Sequence, residues 1–402
     1  MLPLQSAPKV PSRSSNLNGK KRQSLLQGKL LGISATLIIA LMAVGVFATQ
    51  KLSLSHAAPV SQSAAHAGGI TTINGLQTIT QIGSTANILD ANGNAITVDP
   101  NPYKIAIAPS SDSSSGLKAG DVLVSNIGNN DHGVTIVKFK QQSGTGQQFN
   151  TMPGDGVLGP AGLVFDNGKL LVGNSTGNNV LVFNPNGTLF KTIQSPLFNG
   201  PWGITVGRPK SDSSRGGLVS FFTANKFDGK ILRVDVTTSQ DGGAMQFNVV
   251  QIGQYALTGT ISKIDLHWMP KLKVGSQTLR DVLLTIDPAG NRVAAFANSS
   301  TLQAVGTPVT VFQGTPLNVP GGLAINPLNG DILVVNLMDN NLVELNAKMG
   351  TVVGVKQIDP AIVDAQGNNS ALFGVIAIKD DQGNLKVFFT DDNTNTLDVL
   401  SK

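Results

Sequence analysis

Few side chains in this 402-residue sequence can move a proton, attack a carbonyl or hold a metal. It has no Cys, which removes thiol nucleophiles, thiolate metal sites and disulfides. Of its four His, only His132 and His267 lie beyond residue 70. A His-rich zinc site is therefore excluded, and a Ser-His-Asp arrangement would have to use one of these two. His132 sits in the polar stretch NNDHG and reads as a turn residue; His267, beside Trp268 in IDLHW, reads as a core or channel histidine. Glu344 is the sole Glu. Candidate oxygen donors for a divalent cation such as Ca2+ are Asp287, Asp391 and Asp392. The run Asp391-Asp392-Asn393-Thr394-Asn395 nevertheless lacks the Gly and the distal Glu of an EF-hand loop. No cofactor is expected, and no Gly-rich phosphate loop leading into a helix is present.

What does recur is an amide or carboxylate at the end of a short apolar run. DVLVSN, KLLVGN, LVSFFTAN, DVLLTID, DILVVN and KVFFTD end at Asn126, Asn174, Asn225, Asp287, Asn336 and Asp391, spaced 48, 51, 62, 49 and 55 residues apart. Each run follows another: NPYKIAIAP, GPAGLVFD, GPWGITVG, ISKIDLHW, VPGGLAIN and LFGVIAIK. A polar turn and two further strands complete each repeat. Four short strands per repeat of about 50 residues is the period of a propeller blade. The strands read as continuous apolar runs because blades are covered on both faces. The 45 Gly and the near-absence of Glu suit strands and turns rather than helices.

The last repeat stops one strand short, at TLDVLSK, and LQTITQIG from Leu76 to Gly83 can supply the missing strand. The expected fold is therefore all-β: a six-bladed β-propeller of four-stranded antiparallel blades over residues 76–402, closed by an N-terminal strand that completes the last blade. In such a blade the ends of the second strands and the starts of the first lie on one face. That face would collect Asn126, Asn174, Asn225, Asp287, Asn336 and Asp391 with Tyr103, Trp202 and His267, a lining suited to a small polar ligand or a protein segment. The opposite face would carry Lys118, Arg208, Lys210, Arg215, Lys271, Lys273 and Arg280, and would lie toward anionic lipid or wall polymer.

The net charge of +5 comes from the N-terminus. Six cations precede residue 30, and from residue 61 onward 22 basic residues face 24 acidic ones, so nucleic acid is not an expected partner. Residues 30–48 are uncharged and largely apolar, long enough to span a bilayer as a helix. The cations before them place residues 1–29 in the cytoplasm and the remainder outside. The segment is expected to act as a cleaved signal peptide or as a membrane anchor, followed by a flexible linker over residues 49–75. The expected location is the cell envelope, with the propeller anchored or secreted.

The unit GPAGLVFDNGKLLVGNSTGNNVLVFNPNGTLF (residues 159–190) resembles NHL-type propeller repeats, and GPWGITV with VFFTDDNTNTLDVL resembles uncharacterised exported bacterial propellers. The resemblance covers about four-fifths of the chain and implies architecture, not an activity. It leaves two functions open: a non-enzymatic binding scaffold, or a metal-assisted hydrolase similar to gluconolactonases. The second would use Asp287, Asp391, Asn174 and Asn336 around the channel. The gluconolactonase pattern takes a Glu from the opening of the ring, whereas Glu344 lies late in the fifth repeat.

Overall fold

The computed structural model of the chain describes residues 71–109, 117–140, 143–150, 154–207, 220–238, 245–256, 263–363 and 368–402. Residues 30–48 lie outside them, and among the described residues no helix is long and apolar enough to cross a membrane.

The apolar runs form six sheets, the four strands of each blade pairing antiparallel. Three short strands come first: β1 (Thr78–Ser84), β2 (Asn87–Leu89) and β3 (Ala95–Thr97). Blade one follows with β4 (Pro102–Ile107), β5 (Val122–Asn126), β6 (Thr135–Lys140) and β7 (Ser143–Gln148). Blade two holds β8 (Pro160–Asp166), β9 (Lys169–Asn174), β10 (Asn179–Phe183) and β11 (Leu189–Ile193). Blade three has β12 (Pro201–Val206), β13 (Phe221–Asn225), β14 (Lys230–Thr238) and β15 (Met245–Gln254). Blade four has β16 (Leu266–Val274), β17 (Gln277–Asp287), β18 (Arg292–Phe296) and β19 (Val309–Gln313). Blade five has β20 (Pro320–Ile325), β21 (Ile332–Asn336), β22 (Asn341–Asn346) and β23 (Thr351–Gln357). Blade six has β24 (Leu372–Lys379), β25 (Leu385–Asp391) and β26 (Thr396–Ser401), in a sheet of order β1-β26-β25-β24. In that sheet Ser84 lies opposite Thr396 and Thr78 opposite Ser401. Blade one departs from four strands, because the β2–β3 hairpin extends it to the order β3-β2-β7-β6-β5-β4.

A blade has two apolar faces, so each must pack on a neighbour. Leu163, Val172 and Leu181 of blade two meet Ala106, Leu123 and Ile136 of blade one in one such seam. Ile105, Val124 and Val137 of blade one meet Phe388, Leu397 and Val399 of blade six in another. The inner strands β4, β8, β12, β16, β20 and β24 are each in contact with the next around the ring, β24 with β4 included. Blade one therefore faces blade four across the axis.

The turns explain the wealth of Asn. Asn178, Asn291, Asn340 and Asn395, each between the second and third strands of a blade, have positive φ, which Asn tolerates better than other side-chain-bearing residues. Their side-chain oxygens then accept from the backbone leading into the next blade: Gly200 N–H onto Asn178 at 2.9 Å, Val319 N–H onto Asn291 at 2.6 Å, Ala371 N–H onto Asn340 at 3.0 Å and Asn101 N–H onto Asn395 at 3.3 Å. One small residue thus makes its own turn and staples two blades. The position before the leading proline also needs positive φ, supplied by Asn101, Gly159 and Gly200. In blade five Val319 takes it at φ 54°, a strained choice for a β-branched residue that costs of order 1–3 kcal/mol.

The chain already packs on the propeller before Leu76. Ile73 and Leu76 are fully buried, and the Ile73 N–H donates to Glu344 Oε2 at 2.8 Å. Asn326 Nδ2 donates both to Thr71 O and to Glu344 Oε1, at 2.8 Å each. The sole Glu is thereby a buried latch that ties residues 71–76 to blade five, so the part of the 49–75 linker within the described residues is docked.

Candidate functional site

The six residues that end the second strands are clamps within the blade wall. Asn126, Asn174, Asn225 and Asn336 are fully buried. Their Nδ2 groups donate to Thr85 O (2.7 Å), Gly156 O (3.0 Å), Leu197 O (2.8 Å) and Pro316 O (2.8 Å). Each of these carbonyls belongs to the chain leading into that same blade, where no sheet partner satisfies it. An Asp cannot donate, so the two Asp residues accept from their own turns instead. Asp287 takes the Gly290 N–H at 3.1 Å and the Arg292 guanidinium at 2.9 Å, and Asp391 takes the Thr394 N–H at 3.1 Å. Asn393 is drawn to Asp359 at 2.6 Å, so the Asp391–Asn395 run is folded as a turn. Among the described residues no three His, Asp or Glu side chains stand together as a metal site would need.

Tyr103 and Trp202, expected at the surface of a funnel, lie beneath it. Both are the second residue of their inner strands, and both are buried with Phe373, the second residue of β24. The Tyr103 and Trp202 rings meet edge to face at 4.6 Å, and Trp202 Nε1 donates to the Tyr103 hydroxyl at 2.5 Å. Tyr103 and Phe373 rings are 5.3 Å apart. With Ala161 and Leu337 they fill the axis as a separate apolar cluster.

Two residues beyond the position of the leading proline, the six repeats show a pattern the sequence reading passed over: Lys104, Gly162, Gly203, Asp265, Gly322 and Gly374. At Gly203 and Gly374 a Cβ would be driven into the next blade's carbonyl, so that layer of the ring is drawn tight. Lys104 and Asp265 stand three blades apart, and Lys104 Nζ reaches Asp265 Oδ2 at 2.5 Å, 8% and 3% exposed respectively. A pair between opposite blades can close only across the axis. Asp265 also accepts the Leu266 and Leu323 N–H groups, each at 2.9 Å, so its carboxylate is held from two blades. His267 lies near this pair. Burial and the Lys104 ammonium lower its pKa to about 4, so its imidazole is neutral at pH 7.

Above the plug the turns of three blades and the segment leading into blade four place charge at the mouth. Lys226 pairs with Asp131 and lies 4.6 Å from the Trp202 ring centroid. Lys263 Nζ lies 3.8 Å above Phe373, 5.8 Å from Tyr103 and 5.9 Å from Trp202. Burial, then the nearby Lys226, lowers the Lys263 pKa to about 8. Asp392 stands near Lys263, and burial raises its pKa to about 6 against the opposing pull of that ammonium. Beside Lys226 the Phe227 ring is 53% exposed. Sequence reasoning missed Lys263 and Lys226 because neither belongs to a motif. The signal for Lys263 was its place in the fourth repeat, where four of the other five repeats carry proline.

Of the basic residues expected on the far face, Lys118, Lys271, Lys273 and Arg280 are exposed, the last three on the long β16–β17 hairpin. Arg208, Lys210 and Arg215 lie outside the described residues.

Several buried groups set the acid response of the fold. Asp331, Asp392 and Asp398 are each raised to about 6, chiefly by burial, so between pH 4 and 6 the folded chain holds protons that the unfolded chain releases. Stability from these three grows as pH falls through 6. His267, lowered to about 4, acts the other way over 4 to 6.5. Three groups outweigh one, so the melting temperature by calorimetry is expected to be higher at pH 5 than at pH 7, with the gain reduced in Asp392→Asn. A lower melting temperature at pH 5 would refute the assignment.

No model of a known protein family matches the chain, and no curated protein matches it. Solved structures that align with it share the fold alone. Virginiamycin B lyase from Staphylococcus aureus is 14% identical, over 81% of this chain and 99% of that one, with a TM-score of 0.46. A gluconolactonase from Xanthomonas campestris is 10% identical over 81% and 98%, with a TM-score of 0.46. A structural-genomics protein of unknown function from Bacteroides thetaiotaomicron is 11% identical over 80% and 75%, with a TM-score of 0.48. These are structures this chain is similar to, and its own strand order makes it a six-bladed β-propeller.

Proposed function

We propose that this chain is an extracytoplasmic binding propeller whose ligand seats at the mouth above the aromatic plug. The observation that carries the reading is the transaxial Lys104–Asp265 pair beneath the Tyr103–Trp202–Phe373 cluster, which turns the centre of the ring into a floor. Above that floor converge Lys226, Asp131 and Asp392 from the turns of three blades and Lys263 from the chain leading into blade four. A floor with charge above it suits recognition of a polar ligand. In this reading residues 30–48 export the chain and either anchor it or are cleaved, and the β1–β26 pairing is the clasp that holds the ring shut. The exposed cations of the β16–β17 hairpin face anionic lipid or wall polymer, on the side where β1 begins.

The competing function is metal-assisted hydrolysis at Asp287, Asp391, Asn174 and Asn336. Against it stands the commitment of three of the four oxygen donors: Asn174 Oδ1 accepts the Leu158 N–H, Asp287 the Arg292 guanidinium and Asp391 a turn N–H. Calorimetric titration of the purified full-length protein with Ca2+ and Mn2+ separates the two. The scaffold reading expects no saturable heat and an unchanged melting temperature in EDTA. Tight binding of either metal, abolished by both Asp287→Ala and Asp391→Ala, would establish the hydrolase reading in its place.

A further inference from the structure

The mouth holds one unmatched charge of each sign. Lys226 is neutralised by Asp131. Lys263 and Asp392 interact through space, yet among the described residues neither makes an ion pair within 4 Å or a side-chain hydrogen bond. Lys263 has aromatic rings on one side, with its ammonium 3.8 Å from the Phe373 centroid. Ring faces attract a cation but accept none of its directional hydrogen bonds, so its N–H donors remain available toward the mouth. Asp392 comes from the β25–β26 turn of blade six and Lys263 from the chain leading into blade four, so the two reach the mouth from different sides. Both charges are partly desolvated without a countercharge in hydrogen-bonding contact, which is costly until a ligand supplies one. The exposed Phe227 ring lies beside Lys226, the lysine whose charge is felt at Lys263, and offers an apolar shelf.

We propose that the mouth binds a zwitterion of the α-amino-acid class, its carboxylate on Lys263, its ammonium on Asp392 and an apolar side chain against Phe227. A purely anionic ligand would meet Asp392 with like charge, and a purely cationic one would meet Lys263 and Lys226 in the same way. Only a ligand carrying both signs answers every unmatched group at once. This inference rests on the reading of the mouth as the ligand site and narrows it to a ligand class.

Three probes of one shape test it by isothermal titration against the full-length protein: L-phenylalanine, 3-phenylpropionate, which lacks the ammonium, and phenethylamine, which lacks the carboxylate. L-phenylalanine is expected to bind saturably, and each single-charge probe at least tenfold more weakly. Lys263→Met and Asp392→Asn, each checked for a single cooperative melting transition, are expected to weaken L-phenylalanine about tenfold. Lys263→Met should spare phenethylamine and Asp392→Asn should spare 3-phenylpropionate. If either variant misfolds, the wild-type ranking of the three probes still decides. Equal binding of 3-phenylpropionate and L-phenylalanine, lost in Lys263→Met, would overturn the zwitterion while keeping the mouth as the site. Absence of binding by all three probes would overturn both, as would binding indifferent to Lys263 and Asp392.

Discussion

Lys104→Met is expected to destabilise the propeller by about 3–5 kcal/mol, since removing one partner of a buried ion pair leaves an uncompensated charge behind. The stranded group is the Asp265 carboxylate, 3% exposed and left, among the described residues, with the Leu266 and Leu323 N–H groups as donors. In a domain of this size the loss corresponds to a fall of roughly 6 °C in melting temperature. Asp265→Asn should cost a comparable amount, because it strands the Lys104 ammonium on the axis. The double variant Lys104→Met/Asp265→Asn leaves no buried charge and keeps a side-chain oxygen for the Leu323 N–H. It should therefore be markedly more stable than the sum of the single changes requires. Urea denaturation of the four proteins closes the cycle, and simple additivity would mean that the two side chains do not meet across the ring.

Deleting Thr78–Ser84 has the other large expected effect: loss of cooperative unfolding and conversion of a discrete species into concentration-dependent aggregates. Six residues of β1 pair with β26. Without them β26 becomes an open edge carrying Leu397, Val399 and Leu400, the kind of strand that adds foreign strands. Ile82 also leaves the seam it shares with Phe139 of blade one and Phe388 of blade six, opening both blades at once. Light scattering after size exclusion reads the outcome, and a synthetic peptide of residues 76–85 supplied during refolding should restore the discrete species. A deletion variant that stays monomeric and melts sharply would show that the other seams suffice.

Much of the architecture was legible because propeller repeats write their periodicity into the chain. Each leading segment, apolar second strand and terminal Asn or Asp recurs at a spacing set by blade size, so the strands and most of their bounds follow from local pattern alone. The role of the terminal Asn did not follow. An amide at a strand end serves a ligand or an orphaned carbonyl equally well in one dimension, and only the path of the chain into the blade showed that Thr85, Gly156, Leu197 and Pro316 needed donors. Tyr103 and Trp202 were placed on the correct strands yet at the wrong depth, because depth depends on how closely six strands converge.

The sequence by itself determined the number of blades, the all-β class and the face on which each turn lies, since all three depend on contacts between neighbours in the chain. The partners across the axis were decided by the tertiary structure alone. Lys104 and Asp265 are 161 residues apart, and no local rule distinguishes them from the glycines that hold the same position in the other four repeats. Their pairing exists because ring closure brings opposite blades within reach of a lysine side chain, and low exposure there makes leaving either charge unmatched too costly to tolerate.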